Sequence, residues 1–451
     1  MNKRYDLVIV GAGPAGLMAA RTAGENGLKV ALLERKTEIA KITRSCAMMF
    51  ILEDDYFFGE RMYFNNRDKR MVFPVNGFII RYDGPYRNIY GWEQWAPDGK
   101  NYIWSGDYEE KVKRGDQARL TLVYDKDTLL RGLLKEARAI GVEVFPGTNV
   151  VSIKKTDGGV NVIDSNGEVF EAVFVIGADG LNSRMAQILG LNKERKFFCK
   201  IGGISMYMTG VNPPHPYTLI TIFEHDRNYG VPITYMLIPS PYADDEHVVF
   251  VGGVIDPRLD YLSEMDYFIK ESPFSSWFNN PEARRRMSCV RNFWAPVDEP
   301  FRDNVLLVGD VTWSQEVEMT GAVMSGWKAA NAVTVALKDN KLDREGIASY
   351  LEWWNKSFPG THDYKAFFGP VAMMDRFTQE DVNYLFSIIT DPMPYTLNPY
   401  TMPQNLGGLL LKLIPQIQKE RPELIERFQK MQTAPIEELL APLAETGFPN
   451  R

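Results

Sequence analysis

The chain has 451 residues, of which 45% are hydrophobic and 24% are charged, and its formal net charge is −7. This is the composition of an ordinary globular protein; the length predicts two or three folding units, and the negative charge argues against nucleic acid as a partner. The cysteines (Cys46, Cys199 and Cys289) and the four histidines are too widely spaced for a disulfide framework, a zinc site or an iron–sulfur cluster, so we predict no bound metal.

The N-terminal apolar run is too short for the hydrophobic region of a signal peptide and leads directly into a glycine-rich turn. No uninterrupted apolar segment approaches the ~20 residues that a membrane-spanning helix requires. We therefore expect a cytoplasmic protein, and contact with a membrane surface stays open.

The N-terminal segment has the pattern of a strand–helix–strand unit. Residues 7–10 form a continuous β-branched and apolar run, which predicts a strand buried on both faces of a parallel sheet. Residues 17–25 predict a helix, and residues 29–33 predict a second strand. Between the first strand and the helix lies the sequence GAGPAG, residues 11–16. This order predicts a Rossmann-type βαβ unit.

Each glycine of that turn has a separate physical task. Gly11 permits the tight turn, Gly13 lets the backbone approach a pyrophosphate, and Gly16 lets the helix pack closely on the strand. With Pro14 and Ala15 between them, they would place the phosphates against the free N–H groups at the positive end of the helix. We therefore predict a dinucleotide site.

An acidic residue follows at the expected distance. Glu34 ends the second strand 18 residues beyond Gly16, where a carboxylate accepts hydrogen bonds from ribose hydroxyls. Because an acid there would repel a 2′-phosphate, NADP is disfavoured at this site. Further candidate cofactor contacts are Arg35, Ser45 and Arg44, whose guanidinium could pair with the phosphates.

Two later segments indicate the nucleotide by resemblance. Residues 173–183 read VFVIGADGLNS, which resembles the GADG motif of the p-hydroxybenzoate hydroxylase superfamily, and residues 304–310 read NVLLVGD, which resembles its second GD motif. Residues 126–151 are similar to the helix and strand that precede GADG in those proteins. The resemblance implies bound FAD, with Asp310 on the ribityl chain and the N-terminus of the next helix pointing at the flavin ring. It adds as cofactor contacts Asp179, Gly180, Gly309, Asp310, Gly321, Ala322 and Val323.

Within that superfamily, the segment after Asp310 is closer to the geranylgeranyl reductase branch, which has a pattern similar to GDAAGFVNPLTGEGI. This chain lacks the proline of that pattern, has one inserted residue and carries Val323 in place of the second glycine. Residues 234–239, TYMLIP, share only part of the reductases' YxWxFP lipid-site motif. These departures leave open a substrate unlike a polyprenyl lipid.

Four short apolar runs separated by turn signals predict strands in the middle of the chain. They are residues 201–208, 217–223, 233–238 and 248–255. With the aromatic-rich residues 73–104 they would form an antiparallel sheet over the flavin, as in the superfamily. Since such a sheet offers an apolar pocket with few polar anchors, we expect a small hydrophobic or aromatic substrate.

The chemistry at the flavin requires side chains that supply protons, because the cofactor itself carries the redox step. Thr320 would open a helix whose dipole stabilises negative charge on the reduced ring. Glu316 and Glu318 precede that helix and could act as general acid or base near a buried ring; the alternative is two solvated charges, and Glu318 lies closer to the helix start. Cys46 is similar to a cysteine that many geranylgeranyl reductases place beside the flavin, where it would donate a proton; the alternative is a small buried hydrophobe.

We predict an α/β fold in three parts. They are a Rossmann-type FAD-binding domain (residues 1–60, 120–196 and 285–345), an interleaved antiparallel-sheet substrate domain (61–119 and 197–284) and a helical C-terminal region (346–451). In the last part, residues 409–428 have apolar side chains at helical spacing. We expect this C-terminal tail to pack across the FAD domain. The apolar stretch at residues 409–414 is expected in a core or in a homodimer interface, with a membrane surface as the alternative.

The expected function is that of an FAD-dependent reductase or dehydrogenase acting on a carbon–carbon bond of its substrate. A flavin-dependent aromatic monooxygenase is the first alternative; the missing proline and the ending similar to geranylgeranyl reductases favour the reductase. The second alternative is an electron-transfer flavoprotein that reduces a quinone or a partner protein. Since superfamily members reduce FAD without a separate nicotinamide domain, the electron donor could be NAD(P)H or a redox protein.

Overall fold

The computed structural model describes residues 4–51, 56–312, 318–357, 376–394, 396, 398, 401–436, 438–439 and 441. Its helices are α1 (Pro14–Glu25), α2 (Tyr108–Arg114), α3 (Lys126–Ala139), α4 (Arg184–Ile188), α5 (Tyr261–Lys270), α6 (Glu318–Lys338), α7 (Ala348–Ser357), α8 (Gln379–Ile388), α9 (Thr401–Glu420) and α10 (Pro422–Thr433). Its strands are β1 (Arg4–Val10), β2 (Val30–Glu34), β3 (Met49–Ile51), β4 (Tyr63–Asn65), β5 (Arg70–Phe73), β6 (Phe78–Arg81), β7 (Tyr86–Ile89), β8 (Gly91–Trp95), β9 (Tyr102–Ser105), β10 (Thr121–Tyr124), β11 (Glu143–Pro146), β12 (Val150–Thr156), β13 (Gly159–Asp164), β14 (Val169–Gly177), β15 (Phe197–Val211), β16 (Thr218–His225), β17 (Pro232–Pro239), β18 (His247–Val254), β19 (Phe278–Trp294), β20 (Phe301–Arg302) and β21 (Val305–Leu307).

An eight-stranded sheet contains the N-terminal unit. Its order is β11-β2-β1-β14-β13-β12, and β21 lies beside the second half of β14 with β20 at its edge. Residues 7–10 pair in parallel with residues 30–33 on one side and 174–177 on the other, and all four are buried. The continuous apolar run therefore predicted correctly a central parallel strand covered on both faces. The predicted Rossmann-type unit is confirmed.

Helices α1 and α6 cover one face of this sheet and touch each other closely. A Cβ atom on Gly326 of α6 would lie 2.1 Å from the backbone oxygen of Ala15 in α1, so only glycine permits this crossing. The contact brings the start of α6 to the glycine-rich turn, although the two are some 300 residues apart in sequence. Helix α6 begins at Glu318, slightly before the predicted start at Thr320.

A seven-stranded sheet forms the other large layer, in the order β19-β15-β18-β17-β16-β8-β9. The four strands predicted from the middle of the chain are confirmed as β15 to β18, paired with antiparallel neighbours. The expectation of a wholly antiparallel sheet is wrong at one place, because β8 pairs in parallel with β16. The connection from β8 to β16 is long enough for a parallel crossover, which local pattern does not reveal. Strand β19 runs through the predicted boundary at 284/285, so the domain division stays a prediction.

The C-terminal helices divide between the two layers. Helix α7 packs on the eight-stranded sheet, where the Tyr350 hydroxyl donates to the Leu307 carbonyl at 3.1 Å. Helices α8 to α10 instead share a core with Ala96 and Ile103 beside the β8–β9 hairpin. The prediction that the tail packs across the FAD domain is therefore right for α7 and wrong for residues 409–428, which pack in this other core. That segment is also two helices, because Pro422 lacks an N–H group and disfavours a helical conformation at the preceding residue. None of the described helices is long and apolar enough to cross a membrane.

Candidate functional site

The glycine-rich turn between β1 and α1 is held by close backbone packing. Gly11 has a φ of +102°, and a Cβ there would lie 2.4 Å from the Ala178 carbonyl oxygen. A Cβ on Gly16 would lie 1.9 Å from the Gly11 oxygen. By contrast, a Cβ on Gly13 would have no atom within 4 Å. Two glycines are thus required by the protein itself, and the third faces open space.

The N-terminus of α1 opens onto that same space. Gly13 is the N-cap residue, Pro14 occupies the first helical position, and no side chain caps the helix end. A helix of this length directs its positive end and its first N–H groups at whatever lies before it. The space beside Gly13 and this uncapped terminus fit the pyrophosphate of a dinucleotide.

Glu34 lies at the end of β2, next to this turn. Its carboxylate is buried and accepts hydrogen bonds from the Ala12 N–H at 2.8 Å and from the Lys36 N–H at 2.9 Å. These bonds hold the carboxylate at the edge of the turn, and its remaining lone pairs can accept from hydroxyl groups. Burial lowers the pKa of the neighbouring Lys36. Arg35, between them, is exposed.

The second motif folds onto the same place. Gly309 has a φ of +69°, and a Cβ there would lie 3.1 Å from the Ala15 side chain. Its N–H donates to the Ser325 hydroxyl on α6 at 3.1 Å. The structure therefore brings Gly309 and Asp310 to the start of α1. The Asp310 carboxylate forms an ion pair with Arg44 at 3.2 Å, and both side chains are partly exposed.

The segment after Arg44 connects the two large sheets. Ser45 is hydrogen-bonded to the Ser205 hydroxyl on β15 at 2.8 Å, and its N–H donates to the Ser288 carbonyl on β19. Cys46 is half-buried, and its Sγ accepts a hydrogen bond from Lys126 Nζ at 3.2 Å. Cys46 thus lies between the nucleotide-binding layer and the seven-stranded sheet, beside a buried ammonium group.

Lys126 was not predicted from the sequence as a site residue. It is buried at the first position of α3, where a cation opposes the helix dipole. A buried lysine at such a position requires a compensating partner, but the burial of Lys126 is known only from the structure, so the sequence carried no signal for it. The thiol of Cys46 accepts the hydrogen bond of the Lys126 ammonium group.

The GADG segment has a structural task of its own. The Asp179 carboxylate accepts from the Ser183 hydroxyl at 2.7 Å and from the N–H groups of Arg184 and Met185 at the start of α4. Gly180 has a φ of +83°, which favours glycine. These bonds stabilise the turn after β14, and Asp179 as a cofactor contact stays a prediction.

The remaining predicted residues lie around the start of α6. Gly321 and Ala322 are buried in its first turns, and Val323 is fully buried, so the side chain of Val323 points into the core. Glu316 lies outside the described residues, as does the side chain of Glu318. Among the described residues, no group of three acidic, histidine or cysteine side chains has the arrangement of a metal site.

The fold and this site define an FAD-dependent oxidoreductase of Rossmann type, in which a glycine-rich turn, an acid-ended second strand and a GD turn meet beside a second sheet. The chain belongs to the FAD binding domain family, which matches residues 60–310, more than half of its length. The Thi4 family matches residues 2–51, the segment that contains the glycine-rich turn.

Curated relatives match nearly the whole chain. A digeranylgeranylglycerophospholipid reductase of Methanothrix thermoacetophila is 28% identical over 416 residues, covering 86% of this chain and 91% of the relative. A protein of the same name from Methanococcus vannielii is 23% identical, covering 96% and 99%. Among solved structures, a geranylgeranyl bacteriochlorophyll reductase-like protein from Thermoplasma acidophilum has a TM-score of 0.70 at 17% identity, covering 96% of this chain and 100% of the other. A flavin-dependent brominase has a TM-score of 0.57 at 15% identity, covering 92% and 100%, so the fold alone does not separate reduction from halogenation.

Proposed function

We propose that this enzyme saturates carbon–carbon double bonds in the isoprenoid chains of a hydrophobic lipid. The observation that carries the proposal is the match to the Methanothrix reductase, which extends over most of both chains and includes both the nucleotide-binding layer and the seven-stranded sheet. The hydrophobic substrate expected from the sheet's apolar faces agrees with it. The aromatic monooxygenase and the electron-transfer flavoprotein remain the competing outcomes of the test.

In this proposal, the N-terminus of α1 holds the pyrophosphate of FAD beside Gly13, and Glu34 accepts from the ribose hydroxyls of the adenosine. Asp310 accepts from the hydroxyls of the ribityl chain, and Arg44, its ion-pair partner at 3.2 Å, keeps the carboxylate in place and balances the phosphate charge. When bound, FAD supplies the hydride for the double bond.

Cys46 would supply the proton that completes the reduction. Its Sγ accepts from Lys126 Nζ at 3.2 Å, so an ammonium proton is available to replace the one that the thiol gives up. The two hydrogens added to the double bond are then one hydride and one proton. Lys126 acts here as a positioning residue that also restores the proton. Glu318 and Glu316 are the competing proton donors, since they lie before or at the start of α6.

The partners and location follow as further proposals. Electrons come from NAD(P)H or from a redox protein, and the enzyme works in the cytoplasm as a monomer or homodimer. Contact with a membrane surface is assigned to α9, where Leu411 is 62% exposed and Ile414 is 36% exposed beside the cationic Lys412.

The test combines a spectrum with a product analysis. The purified protein is expected to show flavin absorption near ~450 nm, to be reduced anaerobically, and to be reoxidised by a geranylgeranyl lipid that gains two hydrogens per saturated bond in mass spectrometry. Slow reoxidation by oxygen is expected. A rapid reaction with oxygen through a flavin hydroperoxide, together with insertion of oxygen into an aromatic probe, would instead establish the monooxygenase.

A Cys46→Ser variant separates the proton donors. Serine is a much weaker acid than cysteine, so the variant should bind FAD with an unchanged spectrum yet saturate the lipid more slowly. If Cys46→Ser keeps full activity and Glu318→Gln loses it, the proton donor is Glu318 and not Cys46.

A further inference from the structure

A cavity lies at the far edge of the seven-stranded sheet, away from the proposed flavin position. It has a volume of about 620 Å³ and is lined by the β8–β9 hairpin, the start of α2, the chain just before β16 and residues 392–394. Strand β8 is four strand positions from β15, which carries the partner of Ser45. At about 4.8 Å per strand, the two places are roughly 19 Å apart. The cavity is therefore separate from the redox site.

The C-terminal region completes this cavity. The Met393 N–H donates to the Trp104 carbonyl at 2.8 Å, and the two chain segments form a short parallel bridge there. Residues from three distant parts of the sequence thus meet around one space, which indicates a built cavity and not a crevice within a single loop.

Aromatic side chains form much of the wall. Trp92, Tyr102, Trp104 and Tyr108 line the cavity, and each is only half-buried. The Trp92 indole N–H already donates to Thr221 at 3.0 Å, so this ring is fixed in place. Aromatic faces carry partial negative charge and attract cations.

The charged groups of the wall point to the same class of ligand. Glu93, Asp107 and Glu109 line the cavity, and the described lining residues include neither lysine nor arginine. Glu93 is buried and is held by the Trp95 indole N–H at 2.8 Å and by the His215 ring. Burial raises the pKa of Glu93, so the exposed carboxylates of Asp107 and Glu109 carry the negative charge of the wall, and they would repel an anion.

Two hydroxyl groups in the wall lack partners. Thr218 is 1% exposed and Ser105 is 2% exposed, and neither side-chain oxygen has a hydrogen-bond partner among the described residues. Unpaired buried hydroxyls are unfavourable, so a ligand with its own hydroxyl or N–H group would remove that cost on binding.

We propose that this cavity binds an organic cation that carries an ammonium group, held by the aromatic rings and the carboxylates, with a polar group of the ligand reaching Thr218 or Ser105. An uncharged apolar molecule would leave the carboxylates and hydroxyls unused, and a phosphate or carboxylate would be repelled. The ammonium group belongs either to a free small amine or to the headgroup of a lipid.

The test titrates the FAD-loaded protein with choline and with 3,3-dimethylbutan-1-ol, which has the same shape without the charge. Calorimetry and tryptophan fluorescence should show saturable choline binding, with the alcohol roughly fivefold weaker or more. Equal binding of the two compounds, or no saturable choline binding, would overturn the proposal.

Variants locate the binding. Trp104→Leu should weaken choline binding roughly fivefold, and Glu109→Gln, at an exposed position, should weaken it roughly twofold. Tyr229→Leu, at an exposed tyrosine that does not line the cavity, is the matched control and should change nothing. The flavin spectrum and thermal unfolding report whether each variant is folded. Choline binding unchanged in folded Trp104→Leu and Glu109→Gln would place the ligand elsewhere and refute the assignment.

A further arm distinguishes the source of the ammonium group. Phosphatidylcholine with two hexanoyl chains, kept below its micelle concentration, is titrated in the same way. Binding at least as tight as choline, and weakened by Trp104→Leu, assigns a lipid headgroup. Binding of choline alone, with the same dependence on Trp104, assigns a free amine.

Discussion

A buried carboxylate outside the redox site makes the stability of this protein depend on pH. Glu224 lies on β16 and is 4% exposed, and its Oε2 has no hydrogen-bond partner among the described residues. Burial, and then the nearby charge of Glu264 on α5, raise the pKa of Glu224 to about 7 from its ordinary value of 4.5. Glu264 itself accepts from the Tyr235 hydroxyl at 3.2 Å.

The direction in which stability changes with pH follows from the proton that the folded chain keeps on Glu224. Between pH 4.5 and pH 7 the folded chain keeps the Glu224 proton while the unfolded chain loses it, so the stability that this group contributes below pH 4.5 is lost as the pH rises to about 7. A difference of about 2.5 pKa units corresponds to about 3 kcal/mol in the free energy of unfolding.

The perturbation is Glu224→Gln, which removes the ionisation and keeps the shape. Urea unfolding followed by tryptophan fluorescence gives the free energy of unfolding of the variant and of the native protein. The variant's value minus the native value should be about 2.5 kcal/mol larger at pH 8 than at pH 5. Glu282→Gln, at an exposed position of β19, is the control and should change little. The same stability difference between Glu224→Gln and the native protein at both pH values would refute the reasoning.

Three further predictions concern the nucleotide turn, the proton donor and the C-terminal helices. Gly13→Ala should fold and should bind FAD about tenfold more weakly than the native protein in a fluorescence titration. Gly16→Ala should fail to fold stably, because its Cβ would lie 1.9 Å from a backbone oxygen. Equal folding of both variants would contradict this. Lys126→Met should slow lipid reduction and shift its pH profile while leaving the flavin spectrum unchanged, and a pH profile identical to that of the native enzyme would remove the lysine from proton transfer to Cys46. Asp381→Asn should cost roughly 3 kcal/mol and expose α8 to α10 to limited proteolysis, since this buried carboxylate pairs with two arginines; unchanged proteolysis would show that the pairs do not hold these helices.

The nucleotide-binding layer could be read from the sequence because its signals are local. A continuous apolar strand, three glycines at fixed spacing and an acid after the second strand each express a short-range steric or electrostatic requirement. The observed conflicts at Gly11 and Gly16 are the steric requirements that the pattern encodes. The break before Pro422 was not predicted, because apolar periodicity continues through it and proline alone does not mark it, since Pro415 lies inside α9.

Only the tertiary structure decided which distant side chains meet. Arg44 and Asp310 are 266 positions apart, and Cys46 and Lys126 are 80 apart. Their contacts depend on the path of whole strands and helices, so no local pattern marks them. The same holds for the parallel pairing of β8 with β16 and for the docking of the C-terminal helices on the β8–β9 hairpin. Sequence therefore determined the dinucleotide turn through backbone sterics and indicated FAD through the resemblance of two later motifs, while long-range packing decided the contact of Cys46 with Lys126 and the cavity beside the β8–β9 hairpin.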